Sequence, residues 1–199
     1  YEMDRVFFEQ LELPEAKYNL DVGSGQKSSL RPDLLTSPSS GASGNHGEQT
    51  GKILAGIEQV LMQEMPEAVL VQGDTNTVLA GALAASKLHI KVGQVEASMR
   101  SYDRRMAEEI KRGLTDHCSE YLFTPTEKAR EILLGEGISA DSIYFTGNTI
   151  VDAVRQNVKV AVERSSILDE LDSAPGGYFL ATAHRRAYGD GMTKFTGNL

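Results

Sequence analysis

The alternation of apolar and polar segments in the middle of the chain predicts a β-α-β unit. An apolar run from Ala68 to Val71 is typical of a strand buried on both faces. The Ala- and Leu-rich segment from Thr77 to Leu88 predicts a helix, and a second apolar run from Val92 to Val95 predicts the next strand. Because β-α-β units are right-handed and have parallel strands, the pattern predicts an α/β fold with a parallel sheet.

The same alternation extends to both sides of this unit. Predicted helices cover residues 1–11, 46–64, 108–117, 127–134 and 150–164, and predicted strands cover residues 18–22, 121–123, 143–145 and 178–182. Asn45 and Thr126 are predicted to cap the helices that follow them. The first segment is a helix with no strand before it, so for an α/β fold we expect the opening strand to be missing.

Composition indicates how the chain is divided. Residues 26–45 are rich in Ser, Gly and Pro and lack periodicity, which predicts a flexible insertion. Residues 165–177 are acidic and contain Ser, which is typical of a connection between domains. We therefore predict a partial N-terminal domain over residues 1–164 and the start of a C-terminal domain over residues 178–199.

The overall composition is that of an ordinary soluble protein, with 199 residues of which 40% are hydrophobic and 24% charged. The formal net charge of −8 argues against a nucleic-acid partner, which would need a basic patch. No apolar run approaches the roughly 20 residues of a membrane span, so no membrane association is expected. Cys118 is the only cysteine and is interpreted as a packing residue. Without a disulfide framework, a cytoplasmic location is expected.

Candidate chemistry concentrates at the ends of the two central strands. Asp74 follows the first strand and Glu96 follows the second. Because parallel strands bring their carboxyl ends to one edge of the sheet, we expect both carboxylates in the crevice where open α/β sheets bind ligands. Glu108 and Glu109 come after an arginine-rich loop and could return to the same edge. This pattern indicates acid/base chemistry on an anionic substrate.

Each of these acids also has a simpler structural interpretation. Asp74 lies between a strand and a helix, where an N-cap is expected. Glu96 could form a structural salt bridge with an arginine of the following loop, such as Arg100. Glu108 and Glu109 could stabilise the first turn of a helix through its dipole. Because these two are adjacent, they point in different directions, and one of them would face the edge.

A second cluster of candidate residues follows the last predicted strand. His184, Arg185 and Arg186 lie at its carboxyl end and suit phosphate oxygens, while exposed surface charge is the simpler interpretation. The other three histidines have no ligand-like spacing with cysteine or carboxylates, so no metal site is expected. The sequence contains neither a Walker loop nor a dinucleotide-binding glycine fingerprint.

These residues belong to motifs that resemble the non-hydrolysing UDP-N-acetylglucosamine 2-epimerase family. The resemblance runs from His46 to Arg186 in the family's order and spacing. The motifs are HGEQTG (46–51), VLVQGDTNTVLAGALAA (69–85), VGQVEASMRS (92–101), AEEIKRGLTDHCSEYLFTPTEKARE (107–131), FTGNTIVDAV (145–154) and FLATAHRR (179–186).

The resemblance implies a fold and a reaction. The fold would be a glycosyltransferase-B-type pair of Rossmann-like domains with the active site between them, here truncated. The reaction would be reversible C2 epimerisation of UDP-N-acetylglucosamine to UDP-N-acetylmannosamine, in which UDP is eliminated to leave a glycal and then re-adds. The family also implies no metal or nicotinamide cofactor, a homodimer, an allosteric site for the substrate, and a role in polysaccharide biosynthesis.

The resemblance assigns functional residues as well. The acidic catalytic residues of the family match Asp74, Glu96 and Glu108, and the histidine that serves the UDP moiety matches His184. The substrate-binding residues implied are Arg100, Asn148, Arg185 and Arg186, with Arg185 at the diphosphate.

The sequence departs from the family pattern at several places. The opening strand and its G-T-R-P-E loop are absent, and residues 26–44 are inserted. Ser98 replaces a usual glycine, Ala107 a usual proline, Lys111 a usual asparagine and Ala187 a usual glutamate.

Three other functions fit the same pattern. A hydrolysing 2-epimerase would release UDP and free N-acetylmannosamine. A glycosyltransferase of the same architecture would need an acceptor. A non-catalytic nucleotide-sugar-binding fragment is the third, because most of the UDP-binding second domain is expected to be missing after Leu199.

Overall fold

Helices and strands alternate along the chain, as the hydrophobic pattern predicts. The computed structural model describes residues 8–20, 22 and 46–181. The helices are α1 (His46–Glu64), α2 (Asn76–Lys87), α3 (Ala107–His117), α4 (Glu127–Gly135), α5 (Thr149–Arg164) and α6 (Ile167–Glu170), with a 3-10 helix at Ala140–Ser142. The strands are β1 (Ala68–Gln72), β2 (Lys91–Val95), β3 (Tyr121–Thr124) and β4 (Ile143–Phe145).

The four strands form one parallel sheet in the order β1-β2-β3-β4. Val69 of β1 pairs with Val92 of β2, and Leu122 of β3 pairs with Ile143 of β4. Strands that are neighbours in the sheet are therefore also neighbours in the sequence, and each connection crosses over through a helical segment. This arrangement confirms the predicted α/β fold with a Rossmann-like parallel sheet.

The core lies on the face of the sheet that the crossover helices cover. Right-handed crossovers between consecutive strands place α2, α3 and α4 on the same side. Two buried apolar clusters lie there, one formed by Leu61, Ala82, Ala84, Ala85 and Val92 and the other by Ala97, Leu122, Leu133 and Ile143. The small residues of α2 allow that helix to approach the sheet closely.

The opposite face of the sheet carries apolar side chains that stay partly exposed. Leu70 of β1 is 69% exposed and Tyr144 of β4 is 43% exposed. The rings of Phe123 and Tyr144 pack with their centroids 5.7 Å apart. Gly93 of β2 lies beneath Leu70 and Phe123, and a Cβ atom at this position would come within 2.6 Å of Leu70 Cδ2.

Two predicted strands, 18–22 and 178–182, are wrong in the residues that the structure describes. Tyr18 instead donates a hydrogen bond to Glu64, and Leu20 packs over Gly56 of α1. Phe179 and Leu180 are almost fully exposed. A strand needs a neighbour for its backbone N–H and C=O groups, and the described sheet pairs with neither segment.

Helix termini follow local side-chain chemistry where the structure describes them. Thr126 caps α4, because its hydroxyl accepts a hydrogen bond from the Ala129 N–H at 3.1 Å, as predicted. Of the helix predicted over residues 1–11, residues 8–10 are helical. Residues 1–7 and the predicted cap Asn45 lie outside the described residues.

The chain divides into two compact units, Tyr1–Asp152 and Ala153–Leu199. The boundary falls within α5. The short helix α6 occupies part of the connection predicted over residues 165–177. The insertion predicted over residues 26–45 lies outside the described residues, and the predicted domain limits stay a prediction.

Candidate functional site

Two candidate acids follow strand ends that are paired with each other. Gln72, the last residue of β1, pairs with Val95, the last residue of β2. Asp74 comes two residues after β1 and Glu96 one residue after β2, so both lie at the same edge of the sheet. This is the edge at which open α/β sheets bind ligands.

Asp74 is held by an arginine of α3 and does not cap a helix. Thr75 is the N-cap of α2, and its hydroxyl accepts a hydrogen bond from the Val78 N–H at 3.3 Å. The capping interpretation of Asp74 is therefore wrong. Its carboxylate forms an ion pair with the guanidinium of Arg112, and both side chains are partly buried.

Glu96 has a backbone conformation that is rare for its residue type. Its φ is +64°, in the left-handed region, which is costly for a residue with a side chain. Glu96 is half-buried, and its side chain has no ion pair or hydrogen bond within the part of the chain that the structure describes. Two of the arginines nearby in sequence pair elsewhere, Arg105 with Asp103 and Arg100 with Asp116. The salt-bridge interpretation of Glu96 is therefore wrong.

Ser98 repeats the left-handed conformation two residues further on. Its φ is +65°, and its side chain is buried with a hydroxyl that has no hydrogen-bond partner. The Ser98 N–H donates to Asp116 Oδ2 at 3.1 Å, and the Ala97 N–H donates to the Phe123 carbonyl at 3.1 Å. Glycine adopts this conformation without a steric cost. This explains why the family pattern that the motifs resemble has glycine where this chain has Ser98.

The adjacent acids of α3 point in different directions, as predicted. Glu109 is buried and accepts hydrogen bonds from the Ser101 N–H at 2.7 Å, the Ser101 hydroxyl at 2.8 Å and the Tyr102 N–H at 3.0 Å. Burial opposes its ionisation, but these hydrogen bonds outweigh burial and lower the pKa of Glu109. Glu109 therefore anchors the loop before α3.

Glu108 remains accessible at the start of α3. A hydrogen bond with its own backbone N–H and the positive charges of Lys111 and Arg112 lower the pKa of Glu108, against a smaller effect of burial. Lys111 Nζ lies 3.5 Å from Glu108 Oε1. Of the two acids, Glu108 is thus the one whose carboxylate could meet a substrate.

Two residues that the sequence did not single out hold Asp74 in place. Arg112 pairs with Asp74, and its Nη1 lies 3.8 Å from Glu109 Oε2. Gln94 is 1% exposed and donates from Nε2 to the Gly73 carbonyl at 3.0 Å. The sequence contains only weak signals for these two residues. Arg112 follows the two acids of α3 by three and four residues, a spacing at which helical side chains meet, and Gln94 is a polar residue inside an apolar strand.

Arg100, a predicted substrate-binding residue, is occupied by two carboxylates. Its side chain is 4% exposed, and Nη2 lies 2.7 Å from Asp116 and 2.8 Å from Glu136. Burial disfavours the charged guanidinium, but the bonds to Glu136 and Asp116 outweigh it and raise the pKa of Arg100. Burial raises the pKa of Asp116, although the positive charge of Arg100 and its hydrogen bond act to lower it. Substrate binding by Arg100 stays a prediction.

A cavity of about 430 Å³ lies beside α3. Its lining includes Arg100, Tyr102, Ile110 and Leu114 but neither Asp74 nor Glu96. The residues that line it are mostly apolar or already paired. Glu109 also lines it, so the cavity includes the acid that lies beside Arg112.

The remaining predicted site residues lie at or beyond the end of β4. Asn148 accepts a hydrogen bond at Oδ1 from the Ile150 N–H at 3.0 Å, which fixes the first turn of α5. His184, Arg185 and Arg186 lie outside the described residues. Within residues 8–20, 22 and 46–181, no group of three or more His, Cys, Asp or Glu could hold a metal ion, and no helix is long and apolar enough to cross a membrane.

Comparisons with known proteins identify relatives over most of the chain. The family model for UDP-N-acetylglucosamine 2-epimerase matches residues 1–197. The UDP-N-acetylglucosamine 2-epimerase of Methanocaldococcus jannaschii is 52% identical over 185 residues, which make up 92% of this chain and 45% of the relative. The UDP-2,3-diacetamido-2,3-dideoxy-D-glucuronate 2-epimerase of Pseudomonas aeruginosa is 38% identical over 194 residues, 98% of this chain and 49% of the relative.

A solved structure shows the same likeness in three dimensions. The crystal structure of Methanocaldococcus jannaschii UDP-GlcNAc 2-epimerase in complex with UDP-GlcNAc and UDP has a TM-score of 0.70 at 54% identity. The match covers 84% of this chain and 41% of that one. The likeness agrees with the predicted glycosyltransferase-B-type fold class.

The parallel sheet, with its right-handed crossover helices, defines an α/β protein, and in open sheets of this class ligands bind outside the carboxyl ends of the strands. The comparisons are more specific, because the family model spans nearly the whole chain and the relative from Methanocaldococcus jannaschii is 52% identical. The chain belongs to the UDP-N-acetylglucosamine 2-epimerase family, as its motifs predict. It spans about 45% of the length of that relative.

Proposed function

We propose that the protein catalyses the reversible C2 epimerisation of UDP-N-acetylglucosamine to UDP-N-acetylmannosamine by elimination and re-addition of UDP. The observation that carries this proposal is the acidic edge of the sheet, with Asp74 and Glu96 after paired strand ends, in a chain of the epimerase family. Family membership supports the substrate class, and the edge supports the acid/base chemistry.

The reaction needs proton donors and acceptors on both faces of the sugar. A base takes the C2 proton, the C1–O bond to the diphosphate breaks, and a C1–C2 double bond forms. An acid then delivers a proton to the other face of C2 while UDP adds back to C1. We assign these proton transfers to Asp74, Glu96 and Glu108, whose carboxylates suit acid/base catalysis.

The UDP moiety requires cations and hydrogen-bond donors. His184, Arg185 and Arg186 are proposed to serve the diphosphate, because guanidinium groups form paired hydrogen bonds with phosphate oxygens. Arg100 and Asn148 are proposed to contribute to substrate binding from the loop after β2 and from the start of α5.

The relatives support one choice of sugar. The Methanocaldococcus jannaschii structure contains UDP-GlcNAc and UDP, whereas the Pseudomonas aeruginosa relative is named for a diacetamido glucuronate. The Methanocaldococcus jannaschii relative is 52% identical to this chain and the Pseudomonas aeruginosa relative 38%, which favours UDP-N-acetylglucosamine as the substrate. We further propose a non-hydrolysing outcome, a homodimer, an allosteric site for the same substrate, and a cytoplasmic location in polysaccharide biosynthesis.

Proton NMR of the 199-residue chain with UDP-N-acetylglucosamine in heavy water tests the proposal. We expect deuterium at C2 and resonances of UDP-N-acetylmannosamine. Glu96→Gln should lower the exchange rate by about 100-fold or more, because it removes a proton-transfer group. Glu127→Gln, on the exposed surface of α4, is the control and should leave the rate unchanged.

Other outcomes of the same experiment contradict the proposal in distinct ways. Free N-acetylmannosamine together with UDP would support a hydrolysing epimerase. In a parallel sample with the UDP-linked diacetamido glucuronate, turnover of that sugar but not of UDP-N-acetylglucosamine would change the substrate. The absence of any exchange, from a chain shown to be folded by circular dichroism, would contradict catalysis by this chain.

A further inference from the structure

Asp74 is connected to α3 through a single cation. Arg112 extends from the middle of α3 to the loop after β1 and forms an ion pair with Asp74. This contact joins residues 38 positions apart in the sequence and links the loop after β1 to α3. The Arg112 side chain is 22% exposed, so solvent screens the pair less than it would a surface pair.

Arg112 is itself fixed in position by a buried acid. Its Nη1 lies 3.8 Å from Glu109 Oε2, and Glu109 is anchored by hydrogen bonds from Ser101 and Tyr102. One guanidinium therefore lies between a structural carboxylate and Asp74. Glu108 is one helical turn before Arg112 and experiences its positive charge.

A second contact fixes the backbone next to Asp74. Gln94 donates to the Gly73 carbonyl at 3.0 Å, and Gly73 has a φ of +89°, which favours glycine. The loop after β1 is thus held at its backbone by Gln94 and at the Asp74 side chain by Arg112. These two contacts leave the carboxylate little freedom to rotate away from the edge.

We propose that Arg112 is a positioning residue for the epimerisation, which holds the Asp74 carboxylate at the sheet edge in the orientation that proton transfer needs. The inference rests on the proposed function. Proton transfer requires the donor and acceptor within hydrogen-bond distance, and a loss of orientation is costly in rate. Arg112 acts through Asp74 and needs no contact with the sugar.

A double-mutant cycle on turnover tests whether Arg112 acts through Asp74. Arg112→Gln should lower kcat for C2 exchange by about 100-fold in the wild-type background, with KM changed less than about 3-fold. In the Asp74→Asn background the same substitution should lower kcat by less than about 3-fold, because its target is already lost. Arg112→Lys should have a higher kcat than Arg112→Gln, because lysine keeps the positive charge but lacks the planar guanidinium with its several N–H donors.

The control is Arg130→Gln. Arg130 also pairs with a glutamate three residues earlier on a helix, but on the exposed surface of α4. We expect kcat to be unchanged in this variant. Two results would overturn the proposal. One is the same fold loss of kcat from Arg112→Gln in the wild-type and Asp74→Asn backgrounds. The other is a loss of kcat that is fully explained by a loss of thermal stability.

A second measurement does not depend on turnover. In a ¹⁵N-labelled chain, Arg112→Gln should shift the backbone amide resonances of Gly73, Asp74 and Thr75, whereas Arg130→Gln should leave them in place. Unchanged resonances in Arg112→Gln would overturn the proposal even if the chain were inactive. A wild-type chain without C2 exchange but with these shifts would contradict the proposed function and support the positioning contact.

Discussion

Arg100 and Asp116 form an ion pair that is almost completely buried, with 2.7 Å between Nη2 and Oδ2 and side-chain exposures of 4% and 1%. Asp116 also accepts a hydrogen bond from the Ser98 N–H. The ion pair and this hydrogen bond together hold the loop between β2 and α3. Glu136 adds a second carboxylate to Arg100 at 2.8 Å. This cluster therefore joins three segments through a buried ion pair and the partly exposed carboxylate of Glu136.

Removing the cation from this cluster should be strongly destabilising. Arg100→Met leaves Asp116 buried without its partner, and we expect the free energy of unfolding to fall by about 3–5 kcal/mol. Urea denaturation measures the change. Arg105→Met is the matched control, because Arg105 is 90% exposed in its pair with Asp103, and its loss should change the stability far less than the loss of Arg100. Equal effects of the two substitutions would contradict the prediction.

Replacing Ser98 by glycine should stabilise the protein. Glycine adopts the left-handed φ without steric cost, and the substitution also removes a buried hydroxyl that has no partner. Allowing for the greater flexibility of glycine in the unfolded chain, we expect a gain of about 1 kcal/mol, measured by thermal unfolding. Ser98→Ala separates the two causes, since it removes the hydroxyl but keeps the Cβ atom. A loss of stability in Ser98→Gly would refute the role of strain.

Glu109 should contribute a pH-dependent part of the stability. Its pKa is lowered from the ordinary value of 4.5, so its contribution is fully present above pH 4.5 and is lost as the pH falls through the folded-state pKa. Glu109→Gln should therefore cost about 1–3 kcal/mol at neutral pH, and the difference from wild type should shrink on acidification. Denaturation at several pH values measures it, with Glu127→Gln as the control for loss of one carboxylate. A difference that does not change with pH would argue against this assignment.

Gly93→Ala should destabilise the sheet through a clash on its exposed face. The new Cβ would lie 2.6 Å from Leu70 Cδ2 and 3.0 Å from Phe123 Cε2. Leu70 is exposed and can rotate away, whereas the contact with Phe123 remains, so we expect a loss of about 1–2 kcal/mol that becomes smaller, but does not disappear, in a Leu70→Ala background. Gly113→Ala is the control, because it lies inside α3 with no atom near the added methyl group and should gain about 0.5–1 kcal/mol.

The central part of the fold could be predicted from hydrophobic periodicity alone. The strands at Ala68–Gln72 and Lys91–Val95 are apolar runs bounded by polar residues, and the helix between them is rich in Ala and Leu. The predicted strands at 18–22 and 178–182 failed because a short apolar run does not reveal whether a neighbouring strand is available. Strand formation depends on that neighbour as much as on the run itself.

The candidate site could be predicted only in part. Topology alone placed Asp74 and Glu96 at one edge, because both follow parallel strands. The two simpler interpretations are wrong for different reasons: the neighbouring Thr75 caps the helix in place of Asp74, and the pairing of the arginines is decided by tertiary geometry. Arg112 was missed for the same reason, since its partner lies on another element.

The order β1-β2-β3-β4 has a consequence for how the protein folds. Each strand of the described sheet pairs with the strand that comes next in the sequence, so no pairing in it has to wait for a distant segment. Each strand pairing closes only the segment between two consecutive strands, which limits the conformational entropy that is lost. The sheet can therefore grow by one strand and its crossover helix at a time. Among parallel sheets, this arrangement gives a low contact order, which favours rapid assembly of the edge that carries the acids.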